Sequence, residues 1–122
     1  MENKTNTIKN ELTQFTGTEN YYRYHDLLLT DGVYYLAEAA NCFWLMDAVW
    51  AHSSTKGWLG KEDFISCKLN VQDSVGKLTF DDGNKNILAS QHIPYTDFPL
   101  DKVQLFLVRG EAQFVVMLPS EY

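Results

Sequence analysis

The chain has 122 residues and a mass of 14.0 kDa, room for one domain with a sizeable core and not for two. Apolar residues make up 45% and charged residues 21%, which excludes a wholly disordered chain, a collagen-like fibre and a disulfide-dense miniprotein. Lys and Arg number 10 against 16 Asp and Glu, so the net charge of −6 argues against attraction to a phosphate backbone by charge alone.

Residues 1–4 are expected to fray. Ile8, Leu12 and Phe15 recur four and three positions apart, which predicts a short helix from Thr5 to Phe15, stopped by Thr16-Gly17-Thr18. Tyr21-Tyr22-Arg23-Tyr24-His25-Asp26 is an aromatic run with no clear period. Leu27-Leu28-Leu29 is a candidate buried strand, too short to assign. Thr30-Asp31-Gly32 reads as a helix entry, with Thr30 capping free N–H groups and Asp31 placed at the positive end of the dipole. Val33, Leu36, Ala37 and Ala40 follow at helical spacing, and Asn41 marks a break or bend. Cys42 to His52 is a second helical stretch, apolar nearly all round, and should be buried on more than one side. Ser53 to Gly60 is expected to be a loop that holds Trp58.

From Phe64 the period changes to two. Ile65, Cys67, Leu69 and Val71 are the more apolar set and should face the core. Gln72-Asp73-Ser74 turns the chain. Val75 to Phe80 and Ile87 to Ile93 flank a stretch containing Asp82-Gly83, a hairpin signal. Pro94 to Leu100 reads as a crossing loop. Val103 to Val108 and Gln113 to Leu118 flank a second hairpin turn. The expected fold is α+β, with N-terminal helices packed on one face of a mostly antiparallel sheet of about five strands.

No stretch reaches the roughly 20 apolar residues of a membrane-spanning helix. The first residues lack the pattern of a secretory signal, and the last match no lipidation signal. A cytoplasmic protein without membrane attachment is expected. Cys42 and Cys67 then read as two buried thiols, ahead of a disulfide or a catalytic thiol.

A set of strings runs in order along nearly the whole chain. They are Phe15-Thr16-Gly17-Thr18, Tyr21-Tyr22-Arg23, Thr30-Asp31-Gly32-Val33, Tyr35-Leu36-Ala37-Glu38, Trp44-Leu45-Met46-Asp47, Asp82-Gly83-Asn84, Ile93-Pro94-Tyr95-Thr96-Asp97-Phe98-Pro99 and the terminal Leu118-Pro119-Ser120-Glu121-Tyr122. The sequence thereby resembles a family of small bacterial and phage-associated proteins of unknown function. The resemblance implies a single cytosolic domain and no particular chemistry.

Motifs for chemistry are sparse. His25, His52 and His92 lie outside helical or hairpin spacing of one another, and no Cys-x-x-Cys or His-Glu-x-x-His string occurs, so no metal or cofactor is expected. No phosphate loop and no Gly-x-Ser-x-Gly elbow occurs. Asp47 falls among Phe43, Trp44, Trp50 and Ala51 and is a weak candidate general acid or base, as is His25. The plainer reading has Asp47 accepting a hydrogen bond from a Trp or Tyr, or facing water. Tyr21, Tyr22, Arg23 and His25 are candidate binding residues. With one cation in that segment they suit a protein interface better than nucleic acid. Asp97, in a loop between two prolines, is a further binding candidate, with a local turn at Asp97 and Phe98 plugging the core as the alternative. The function expected is a non-enzymatic binding module with a protein partner or a second copy. The runner-up is a small enzyme using Asp47 or His25.

Overall fold

The computed structural model describes residues 4–55 and 61–122. Fraying of residues 1–3 and the placement of Trp58 fall outside that range, while Lys4 already belongs to the first helix. Helix α1 covers Lys4–Leu12 and ends before the expected Phe15. The Gln14 and Phe15 N–H groups donate three residues back, to Glu11 O and Leu12 O, so the last turn tightens and stops.

The aromatic run is a strand. Strand β1 spans Tyr21–Tyr24 and pairs antiparallel with β2, Leu27–Thr30. Tyr24 pairs with Leu27, leaving a two-residue turn in which His25 takes φ 54°, a conformation that favours glycine. Helix α2 follows at Asp31–Ala39, capped as expected by Thr30, whose hydroxyl oxygen accepts from the Val33 N–H at 3.4 Å. Asn41, at φ 51°, turns the chain into α3, Phe43–Thr55. The helix thus runs past the expected start of the loop at Ser53. Around α3, Leu45, Met46, Val49 and Ser53 are buried and only Asp47 is exposed among its described side chains, as an all-round apolar helix requires.

Strands β3 (Phe64–Gln72), β4 (Val75–Asp81), β5 (Ile87–Ile93), β6 (Lys102–Arg109) and β7 (Phe114–Met117) follow. The chain closes on a short 3₁₀ turn, Pro119–Glu121. The sheet has 7 strands in the order β1-β2-β7-β6-β3-β4-β5. This corrects the expected count of about five, because β1 and β2 also join. It is mixed, because β2 and β7 pair parallel through Leu28–Val115 and Leu29–Val116. Neither short strand could be assigned from its own four residues. Their place is fixed by β7, which lies far along the chain.

One sheet face carries Leu27, Leu29, Ile65, Cys67, Leu69, Leu78, Phe80, Leu105, Leu107, Phe114 and Val116. With Ile8, Leu36, Leu45, Met46 and Val49 of the helices these form one buried core. The apolar period-two set of β3 faces inward as expected. Alternation sends every second residue to the opposite face, which the helices do not cover.

Candidate functional site

The sheet splits the Tyr21–Asp26 candidates by parity. Tyr22 and Tyr24 point to the helices, and Tyr21 and Arg23 to the opposite face. On the helix side, Tyr22 stacks on Tyr34 at 4.1 Å, and Tyr24 stacks on Phe43 at 5.6 Å. The Tyr24 hydroxyl donates to Asp47 Oδ1 at 2.7 Å. His25 Nε2 lies 3.4 Å from the same oxygen, and the His25 ring stacks on Trp50 at 4.4 Å. The two weak acid/base candidates, Asp47 and His25, therefore meet. They meet on an exposed shelf, with side chains 57% and 47% accessible. Asp47 acts as a post for the hairpin tip, accepting from a tyrosine and facing water. The Trp50 N–H is buried and has no hydrogen-bond partner among the described residues.

The bond to Asp47 holds the Tyr24 hydroxyl up to about 12, from an ordinary value near 10.0. Burial pushes the Cys42 thiol up to about 12. Burial, and then the Asp81 charge, also push the Cys67 thiol up. Both thiols are free and buried, the state expected of them. All three groups are neutral in the folded chain and ionise more readily once it unfolds. Their stabilisation is complete below the ordinary thiol value of 9.0 and is lost as pH rises from there through about 12. Urea midpoints are therefore expected to hold up to about pH 9 and to fall steeply between about pH 9 and 11. A flat profile across that range would contradict the buried, bonded placement of these groups.

Asp97 stands apart from that cluster. It is exposed in the loop after β5, beside Asp73 and Asp101 along an open groove. The local turn is made by its neighbour: the Thr96 hydroxyl oxygen accepts from the Phe98 N–H at 3.1 Å. Phe98 is buried as expected. Among the described residues no group of three or more His, Cys, Asp or Glu side chains is placed to hold a metal ion. No helix among them is long and apolar enough to cross a membrane.

Several of the strings that carry the family resemblance converge at the start of α2. The Glu121 carboxylate accepts from the Thr30 hydroxyl at 2.6 Å, from the Leu118 N–H at 2.9 Å and from the Gly32 N–H at 3.1 Å. The Ser120 hydroxyl donates to Phe15 O at 2.7 Å. The Thr18 hydroxyl oxygen accepts from the Asp31 N–H at 2.8 Å, and Asp31 accepts from the Glu19 N–H at 2.9 Å. That N–H, with further bonds from Tyr22, Asn20 and Thr18, holds the Asp31 carboxyl below its usual range. These polar groups are bonded to one another, so the constellation is a clasp at a helix N-terminus.

The face away from the helices is open, as expected of a sheet covered on one side, and carries residues that the sequence did not single out as candidates. Register places Arg23, Leu28, Val115, Val108 and Phe64 side by side across five strands. Met117 and Phe106 pair in the neighbouring row. Tyr122, 73% exposed, sets its ring against Phe64 and Phe106, 5.5 Å from each. At the other end of the face, Lys102, Asn70, Lys77 and His92 form a row across β6, β3, β4 and β5. Period-two alternation marks these residues as outward. Which of them stand together depends on pairings between distant strands.

A solved structure of similar fold is described as "Crystal structure of the protein of unknown function from Enterococcus faecalis". It aligns with a TM-score of 0.58 at 15% identity over 80% of this chain and 90% of that one. No curated protein matches. A sequence family described as a family of unknown function, DUF6876, matches residues 6–122.

Proposed function

On the premise that this chain belongs to DUF6876, a family of unknown function, we propose that it is a non-enzymatic protein-interaction module whose uncovered sheet face docks a second copy of itself. The observation that carries this is the row Arg23–Leu28–Val115–Val108–Phe64. It is an apolar strip across four strands, closed on a fifth by one cation, on a face without a covering layer among the described residues. Two such faces packed about an axis along the strands bury strip against strip. The same operation brings Arg23 of one copy toward the loop beyond Phe64 of the other. That loop is acidic: the Asn86 side-chain amide and the Asn84 N–H hold the Asp82 carboxyl below its usual range. Gly83 of this loop lies against Phe64, where a Cβ would stand 3.1 Å from the ring.

Tyr21 and Arg23 serve this surface directly. Tyr22 and His25 serve it by anchoring β1 to the helices. A cytoplasmic setting accords with two free, buried thiols. The bacterial and phage association that the resemblance implies belongs to the same proposal. The second reading, acid/base chemistry, draws on the His25–Asp47 contact. Mutual bonding and wide exposure of that cluster favour the anchoring role.

Light scattering and sedimentation on the purified protein test the dimer. The wild-type chain is expected to self-associate, and Val108→Lys, within the strip, to be monomeric with an unchanged circular dichroism spectrum. A wild-type chain that stays monomeric at high concentration overturns the reading.

A further inference from the structure

Asn70 is ringed by three lysines. Lys77 sits directly across from it on β4 and Lys102 directly across on β6. Lys68 precedes it by two residues and shares its face. His92 lies across from Lys77, and Gln104 across from Lys68. Lys68, Asn70, Lys102 and Gln104 line an open groove of about 480 Å³. A neighbouring groove of about 720 Å³ adds Lys77 and His92. Among the described residues no ion pair engages any of the three lysines. Like charges grouped on one sheet face repel, and an external anion relieves that repulsion. The molecule as a whole carries −6, so this block is opposite in sign to the net charge of the chain.

We propose that this block binds a short acidic segment of a partner protein, laid across the strands with its carboxylates over Lys68, Lys77 and Lys102. The row from Lys102 to His92 covers three inter-strand steps, about 14 Å, which an extended segment of about four residues spans. The Asn70 amide supplies a neutral donor at the centre. Asp73 and Asp101 line the end of the larger groove near the β3–β4 turn and keep carboxylates away from it, which sets where the segment lies. A short segment is favoured over a nucleic acid. A long polyanion would extend past the three lysines, and the rest of the chain without them carries a net charge more negative than −6. The inference rests on the open face being a docking surface, but at the end opposite the apolar strip.

Fluorescence anisotropy with a labelled peptide of alternating Glu and Ser tests it, with a Gln-Ser peptide and an oligothymidylate of matching length as controls. The Glu peptide is expected to bind at low salt and to be released by added salt, and the Gln peptide not to bind. Lys68→Gln, Lys77→Gln and Lys102→Gln should each weaken binding about 3-fold, and the triple variant at least about 10-fold. Asn70→Asp supplies an internal counter-charge. It should weaken the peptide comparably while leaving the melting temperature unchanged or raised, which a merely structural Asn70 would not do. No binding of the Glu peptide, equal binding by the triple variant, or tighter binding of the oligothymidylate would overturn the proposal. A monomeric wild-type chain that binds the peptide removes the dimer and supports this site, and a dimer that ignores the peptide removes this site alone.

Discussion

Replacing Glu121 with alanine is expected to destabilise the fold by about 3 kcal/mol, a fall of roughly 10 °C or more in melting temperature. The carboxylate accepts from the Thr30 hydroxyl and from the Leu118 and Gly32 N–H groups, and so ties the end of the chain to the first turn of α2. Charge-assisted bonds to helix N–H groups are the stronger kind, and the ionised carboxylate also sits at the positive end of the dipole. Glu121→Gln keeps the shape and loses the charge, so its cost should fall between wild type and alanine. Gly32→Ala tests the same clasp from the other side. A Cβ there would stand 2.6 Å from Leu118 Cδ1 and 2.7 Å from Glu121 Oε1. Both neighbours are side-chain ends, but Leu118 is buried and Glu121 is held by its bonds, so neither yields freely. A cost of about 2–3 kcal/mol is expected. Part of each single change is loss of the same bonds, so the double variant should cost clearly less than the sum. Thermal and urea denaturation of the wild type and these variants measure this. Strict additivity would mean that the clasp does not act as a unit.

The second large effect is expected in the core. Phe80 is fully buried on the inner sheet face, near the end of β4, and meets the His52 ring at 4.8 Å. Phe80→Ala should cost about 3–5 kcal/mol, the lost transfer free energy plus the cavity it leaves. That is a large share of the about 5–15 kcal/mol that separates folded from unfolded chains of this kind. Phe106→Ala, the same change on the opposite face, should cost far less in the monomer, because its ring is only half-buried against Phe64 and Tyr122. Urea unfolding at low protein concentration, where self-association is absent, compares the two. Equal costs would mean that the outer face is packed as tightly as the inner one.

Short-range patterns carried much of this fold. The Thr30 cap, the break at Asn41, the alternation from Ile65 to Val71 and the Asp82-Gly83 hairpin each depend on residues within a few positions of one another. Local backbone preferences and side-chain period specify them wherever the rest of the chain lies. The same locality made Asp47 and His25 visible as candidates one at a time. Their meeting could not be seen, since it needs the hairpin tip folded back onto α3.

Pairing between remote segments supplied the rest. Strand β2 finds a parallel neighbour in β7, and so brings β1 into a sheet of 7 strands. Glu121 reaches Gly32 across a separation of 89 residues. Lys68, Lys77 and Lys102, scattered in an acidic chain, become one block only through the registers of β3 with β4 and β6. A one-residue slip in either register would send that strand's lysine to the other face and break the block. Register is a property of the packed sheet, because it is chosen by which set of side chains the core can bury. No reading of neighbours along the chain could recover it.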